Sequence, residues 1–402
     1  MKKILLLGGS SQQIIAIETA KRLGLYTVLC DYLPDNPGQY FADKFYQTST
    51  TDKDAILKVA EEEDVDYIIA YASDPAAPTA AYVAETIGLP TNPYKAVETL
   101  CNKDLFREFL FSHGFNTPKA VGFKSKEDAI ANIDNFTFPI IVKPVDSSGS
   151  KGATVLRNKC ELENAIDFAF SFSRGHRVII EEFIEKKNPY LIGGDIFVAD
   201  GKVVQWGLMN CHRDDLVNPL VPVGKSYPPC LDNNDLQEIK KTLQRLVSEL
   251  HINFGPMNVE LVIDKNNKVF PIDIGPRSGG NMIPDLLGMI FGCDVVEMSI
   301  RAAMGEKLDK TFSAGEFYYA THNLHSDKNG IFERIEFNEL LEPYIVKKCI
   351  YKKKGENIQK FNNASDVLGI IFLKFNSELE MDRYLHSINQ YIKIIIQKTA
   401  NN

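Results

Sequence analysis

Phe138-Pro139-Ile140-Ile141-Val142-Lys143-Pro144-Val145-Asp146-Ser147-Ser148-Gly149-Ser150-Lys151-Gly152 is the stretch on which the reading of this sequence turns. An apolar run ends in a lysine, and a Ser/Gly-rich loop follows at once. An unpaired ammonium is costly to bury, so a lysine at the end of a core strand is expected to face an anion. The small side chains and backbone N–H groups of the loop suit closure over phosphates. Taken alone, the segment also fits an ordinary surface hairpin.

Two segments further along sharpen the choice. Val178-Ile179-Ile180-Glu181-Glu182-Phe183-Ile184 reads as a strand that ends in two carboxylates. As a linker between lobes it would offer backbone groups to the amino edge of adenine, with Phe183 and Ile184 lining an apolar slot. By itself it is simply a strand leaving a core. Met257–Asp264 and Val269–Ile274 read as two strands joined by the turn Lys265-Asn266-Asn267-Lys268. In such a hairpin Glu260 and Asp273 sit across from each other, and like charges so placed repel unless a cation lies between them. Magnesium, which combines one or two carboxylates with substrate phosphates, is the natural cation, with manganese as a substitute. Arg277, four residues beyond Asp273, is placed to meet a phosphate by a bidentate contact.

Around these pieces the chain organises itself by periodicity. Residues 1 to about 92 alternate short apolar runs with helical patterns: strand Lys3 to Leu7, helix Gln12 to Leu23, strand Thr27 to Cys30, helix Asp52 to Glu63, strand Asp66 to Ala70. That rhythm predicts a parallel, doubly wound α/β sheet. The Gly8-Gly9-Ser10 turn lacks the full spacing of a dinucleotide fingerprint and reads as an anion site or a tight turn. Pro90-Thr91-Asn92-Pro93 marks a boundary. A helix is predicted from Tyr94 to about His113, then a small α+β lobe, a strand-rich lobe and a β-rich end. The expected domains are residues 1–93, 94–190, 191–311 and 312–402.

Composition narrows the function. The chain has 402 residues, 44% hydrophobic and 24% charged, with no apolar stretch approaching the ~18 residues of a membrane span. A formal net charge of −8 argues against a nucleic-acid partner. Seven cysteines without a CxxC pair point to free thiols and a cytoplasmic setting.

In this order the motifs resemble the ATP-grasp superfamily over roughly residues 1 to 310, in particular carboxylate-amine ligases such as the L-amino acid ligases. The resemblance implies a pre-ATP-grasp α/β domain, an ATP-grasp fold of two α+β lobes and a small β-rich C-terminal lobe. It implies ATP and Mg²⁺ as cofactors and small-molecule carboxylate and amine substrates, with a homodimer as one assembly. By position, Lys103 and Lys143 match the two phosphate-contacting lysines, and Ser147, Ser148, Gly149, Ser150 and Gly152 match the mobile loop. Glu181, Glu182, Phe183 and Ile184 match the adenine hinge, Glu260 and Asp273 the metal-binding acids, and Arg277 the arginine of the Glu-x-Asn-Pro-Arg motif. Arg277 and Lys143 are then the catalytic residues.

Two departures stand out. Gly275 occupies the position of the family's metal-binding asparagine, which shifts one ligand to water or to a neighbour such as Asn281. The ribose-binding glutamate aligns with Leu191, leaving Asp195 or Asn188 for that contact. His212 is a candidate base for the amine or a substrate-orienting residue, and residues 211 to 230 read as the substrate loop. A carboxylase or formyl-transfer enzyme, and a non-catalytic ATP-binding regulatory protein, are the alternative readings.

Overall fold

The structure is a computed structural model that describes residues 1–147, 149–214, 217–308, 312–363 and 366–397, with Asn218 described by its backbone. The N-terminal sheet is parallel, in the order Lys44–Gln47, Tyr26–Asp31, Lys3–Leu7, Tyr67–Ile69. Parallel sheets are covered on both faces, and the first strand shows it. Leu5 and Leu7 point into one apolar cluster, while Ile4 and Leu6 point into another. The second cluster includes Val296 and Ile300 of the later helix Val295–Ala303, so the first domain is seated on the body of the molecule. Arg22 adds ion pairs to Asp294 and Glu297 at the same junction.

The predicted helix from Tyr94 to His113 is two helices, Tyr94–Cys101 and Lys103–Ser112, parted at an extended Asn102. The break has a tertiary cause: the Lys103 N–H donates to the carbonyl of Val145, which lies beside the phosphate-loop candidate. Lys103 therefore begins a helix. The small lobe that follows is an antiparallel sheet in the order Ala120–Phe123, Val178–Glu182, Ile140–Pro144, Thr154–Leu156. Helices Lys126–Ala131 and Leu162–Phe172 cover one face.

An eight-stranded antiparallel sheet forms the body. Its order is Val269–Gly275, Phe254–Ile263, Leu191–Ala199, Lys202–Asp214, Asn218–Tyr227, Tyr318–Leu324, Gly369–Phe375, Ile345–Ile350. Strands from both sides of residue 312 share this sheet. A separate three-stranded sheet joins Asn357–Ile358, Gly330–Phe337 and Ile392–Gln397. Within residues 211 to 230, expected to be a loop, the stretches 211–214 and 218–227 instead belong to the paired strands Lys202–Asp214 and Asn218–Tyr227. Pro219 and Pro222 disguised the second strand. The ladder accommodates them by shifting register between His212 and Asp214, as bulges next to prolines do.

Candidate active site

Between the small lobe and the eight-stranded sheet lies a cleft of about 1330 Å³. Typical ligand pockets are roughly 300 to 1,000 Å³, so this one has room for more than a single small molecule. Lys103, Lys143, Ser147, Gly149, Ser150, Glu181–Ile184, Glu260 and Asp273 all line it, although Lys103 and Asp273 are 170 residues apart in sequence.

The lysines are held in place by buried partners. Lys143 Nζ lies 2.8 Å from Glu181 Oε2, and Arg107 Nε lies 3.0 Å from Glu181 Oε1 as an ion pair rather than an aligned hydrogen bond. All three side chains are buried. Burial alone would raise the Glu181 carboxyl, but Arg107 and Lys143 hold it down to about 2. Burial pushes the Lys143 ammonium below its ordinary range, with Glu181 opposing that shift. Glu181 therefore works on Lys143, while Glu182, Phe183 and Ile184 run along the cleft wall with the apolar Ile141, Val262 and Ile272. Glu182 accepts from the Thr137 N–H at 2.9 Å. Lys103 Nζ donates to the Ser147 carbonyl at 2.7 Å and stands 3.9 Å from Asp273 Oδ2. It thus connects the loop, the helix start and the acid pair.

The loop turns through left-handed backbone at Gly149, Ser150 and Gly152. Its tip reaches the far wall, where Ser150 Oγ donates to the Leu220 carbonyl at 2.8 Å. Gly152 does not line the cleft. A Cβ there would meet Pro144 Cγ at 2.8 Å, so its smallness serves packing. Ser148 lies outside the described residues.

Glu260 and Asp273 are directly paired across the hairpin, and the Arg213 guanidinium meets Glu260 at 2.6 Å. Among the described residues no group of three or more His, Cys, Asp or Glu side chains is arranged to hold a metal. Two carboxylates beside two lysines still fit magnesium, which takes its remaining ligands from phosphate and water.

Three expected contacts fall elsewhere. Asp195 is buried away from the cleft lining, accepting from the Gly279 N–H at 2.8 Å and from Asn258 Nδ2 at 2.8 Å. Burial pushes its carboxyl up to about 6. Asn188 is likewise absent from the lining, whereas Glu185, Lys186 and Leu191 are present. Arg277 points to Asp74 of the first domain instead of into the cleft, and Nη1 donates to the Ser278 carbonyl at 3.0 Å. Burial works against its charge, and Asp74 more than compensates.

His212 lines the cleft with its ring 4.7 Å from Tyr190 and Nε2 at 2.9 Å from Ser226 Oγ. Burial, with Lys225 and Arg213 nearby, lowers it to about 4, which leaves a neutral and weakly basic imidazole at pH 7. The Gly8-Gly9-Ser10 turn is turned inward: the Gly9 N–H donates to Asp31 Oδ2 and the Ser10 N–H to Gln13 Oε1. It is a tight turn, and since the Gly8 N–H donates to the Cys30 carbonyl, all three of its N–H groups are already satisfied.

Sequence reading missed Arg107, Arg213, Lys225 and the far end of the cleft. There His322 and Asp214 join the lining, and Asp214 Oδ2 accepts from His325 Nε2 at 3.1 Å and Asn389 Nδ2 at 2.8 Å. One signal was available: Lys103 and Arg107 are four apart and share a helix face, and two cations so placed need anions. Asp214 and Asn389 are 175 residues apart, and no local pattern joins them.

Residues 102–311, more than half of the chain, match the family described as carbamoyl-phosphate synthase L chain, ATP binding domain, and the chain belongs to that family. It is an ATP-grasp enzyme of the carbon–nitrogen ligase type. Among curated proteins it is 28% identical to a formate-dependent phosphoribosylglycinamide formyltransferase of Methanocaldococcus jannaschii, over 68% of this chain and 69% of that one. It is 26% identical to a carbamoyl phosphate synthase large chain of Pseudothermotoga lettingae, spanning 24% of that longer protein. The fold matches an L-amino acid ligase from Bacillus licheniformis with a TM-score of 0.83 at 20% identity, covering 99% of each chain. It also matches the biotin carboxylase domain of the Hydrogenobacter thermophilus 2-oxoglutarate carboxylase, solved with MgADP and bicarbonate, with a TM-score of 0.75 at 19% identity over 98% of this chain and 91% of that one. Among the described residues no helix is long and apolar enough to cross a membrane, and all seven cysteines are free.

Proposed function

We propose that the chain activates a small carboxylate with ATP as an acyl phosphate, which an amine then attacks. The observation that carries this reading is the convergence in one cleft of two lysines and two acids, with Lys103 Nζ only 3.9 Å from Asp273. A carboxylate is a poor electrophile because its charge repels nucleophiles and it lacks a leaving group. Phosphorylation removes both obstacles. The substrate carboxylate oxygen attacks the γ-phosphorus and the bond to ADP breaks. The amine nitrogen then attacks the acyl carbon, phosphate leaves, and the nitrogen gives up a proton.

The protein's task is positioning and charge neutralisation. Lys103 and Lys143 bind phosphate oxygens, and Glu181 with Arg107 orients Lys143. Glu182 to Ile184, with Ile141 and Val262, hold the adenine. Glu260 and Asp273 would hold magnesium, which when bound neutralises the phosphates. The Ser147–Gly152 loop excludes water that would hydrolyse the acyl phosphate. The end of the cleft lined by His212, Asp214 and His322 takes the acid and amine. A cytoplasmic location and a homodimer complete the reading.

A coupled ADP-release screen over amino acids, small organic acids, bicarbonate and formate, each with and without amines, tests it. ADP and phosphate formation that needs both an acid and an amine is expected. Formate merits its own arm because the 28% identical relative is named as formate-dependent. Stabilisation by ATP with no ADP from any combination would leave a regulatory ATP-binding protein as the better account.

A further inference from the structure

His212, Arg213 and Asp214 are consecutive, and all three line the cleft. A regular strand turns successive side chains to opposite faces, so a flat ladder would present only every second one. The ladder is not flat here. Arg213 stands opposite Pro222, which has no N–H to give, and the register slips on both sides of Arg213. Such a bulge re-aims the side chain it carries, and this one delivers a guanidinium to the cleft beside Glu260.

That guanidinium is only half used. Nη2 donates to Glu260 Oε1 at 2.6 Å, while among the described residues the buried Nη1 has no hydrogen-bond partner. With the side chain 14% exposed, water does little to make up the loss, and a buried donor without an acceptor is costly to keep. The carboxylate is shared as well: Glu260 faces Asp273 across the hairpin, and Asp273 Oδ2 faces Lys103 Nζ at 3.9 Å. Lys103, Asp273, Glu260 and Arg213 thus form a row across the cleft. The phosphates of ATP fall at its lysine end, and the acid and amine lie beyond Arg213, toward His212 and Asp214. Arg277, which the family resemblance puts in the catalytic role, does not line the cleft and is committed to Asp74 and Ser278.

We propose that Arg213 is a catalytic residue, whose free Nη1 donates to a non-bridging oxygen of the phosphoryl group in transit. The inference rests on the phosphoryl-transfer reading. As the substrate carboxylate oxygen bonds to the γ-phosphorus, the bond to the β–γ bridging oxygen breaks and ADP leaves with the electron pair. Arg213 moves no proton; its donor meets the negative charge spread over the equatorial oxygens. Glu260, holding the other arm of the fork, aims that donor before the reaction begins.

The test uses the full chain and two probes, MgADP alone and MgADP with aluminium fluoride as a mimic of the transferring phosphoryl group, titrated calorimetrically. Arg213→Lys keeps a cation for Glu260 but cannot serve two partners through a planar fork. It should leave MgADP affinity and the magnesium requirement within about threefold and weaken capture of the fluoride complex about tenfold or more. Arg213→Met, which keeps only the stem, should lose at least as much capture. Capture by Arg213→Lys as tight as wild type overturns the proposal. So do equal losses for both probes in Arg213→Lys, the signature of a residue that only holds Glu260, and a loss of capture in Arg277→Lys with none in Arg213→Lys. A wild-type protein that binds MgADP yet gains nothing from aluminium fluoride overturns the phosphoryl-transfer reading itself, and this inference with it.

Discussion

Lys143→Ala removes the cation closest to the hinge strand, and its cost can be worked from the structure. Lys143 is buried, with Nζ 2.8 Å from Glu181. When the lysine is lost, Glu181 keeps Arg107 at 3.0 Å, so no carboxylate is left alone in the core and the fold should survive. The nucleotide, by contrast, loses a partner in a partly dehydrated cleft. Hydrogen bonds to charged groups contribute about 1.5–3 kcal/mol. At about 1.4 kcal/mol per tenfold, the dissociation constant for MgATP should rise roughly 10- to 150-fold. Isothermal titration with a non-hydrolysable ATP analogue and magnesium measures this, and Lys143→Met serves as a variant that preserves the buried stem. An affinity within twofold of wild type, in a variant with native circular dichroism and melting, would refute the assignment of Lys143 to the phosphates.

Glu260→Gln, Asp273→Asn and the double variant should lose activity to a similar extent and shift the magnesium requirement, as ligands of one ion do. Fully additive losses with an unchanged magnesium requirement would move the metal site elsewhere. Asp195 makes a pH prediction: its folded carboxyl, raised to about 6, lies above the unfolded value of about 3.9. Its contribution to stability is therefore full below about pH 4 and is lost as pH rises through about 6, a change of roughly 3 kcal/mol. Asp195→Asn keeps one acceptor oxygen of the two, so it costs one of these hydrogen bonds, but it removes the titrating group and should abolish that segment of the stability–pH curve in urea unfolding. Parallel curves for the two proteins would rule it out.

Much of this molecule is local, and what is local can be read from residues. The hairpin that sets Glu260 against Asp273 needs only two alternating strands and a four-residue turn, and the observed register pairs those two residues. Lys143 at the end of its strand is legible for a similar reason, since an apolar run that ends in a cation states its own need for an anion. The tertiary structure decided the rest, because the deciding contacts join residues with no shared periodicity. Asn102 breaks a good helical pattern because the next N–H is claimed by Val145. Asn218–Tyr227 forms a strand despite two prolines because neighbouring ladders satisfy its backbone. Glu181 reads as a hinge residue but serves Lys143, because Arg107, 74 residues away, comes to its other side. Arg277 reads as a phosphate ligand, yet its orientation is set by Asp74 across a domain junction 203 residues distant, through the space left by a glycine. Chemistry carried by one segment was determined by the sequence itself; the aim and pairing of those same groups depended on which distant carboxylate the packed chain brought beside them.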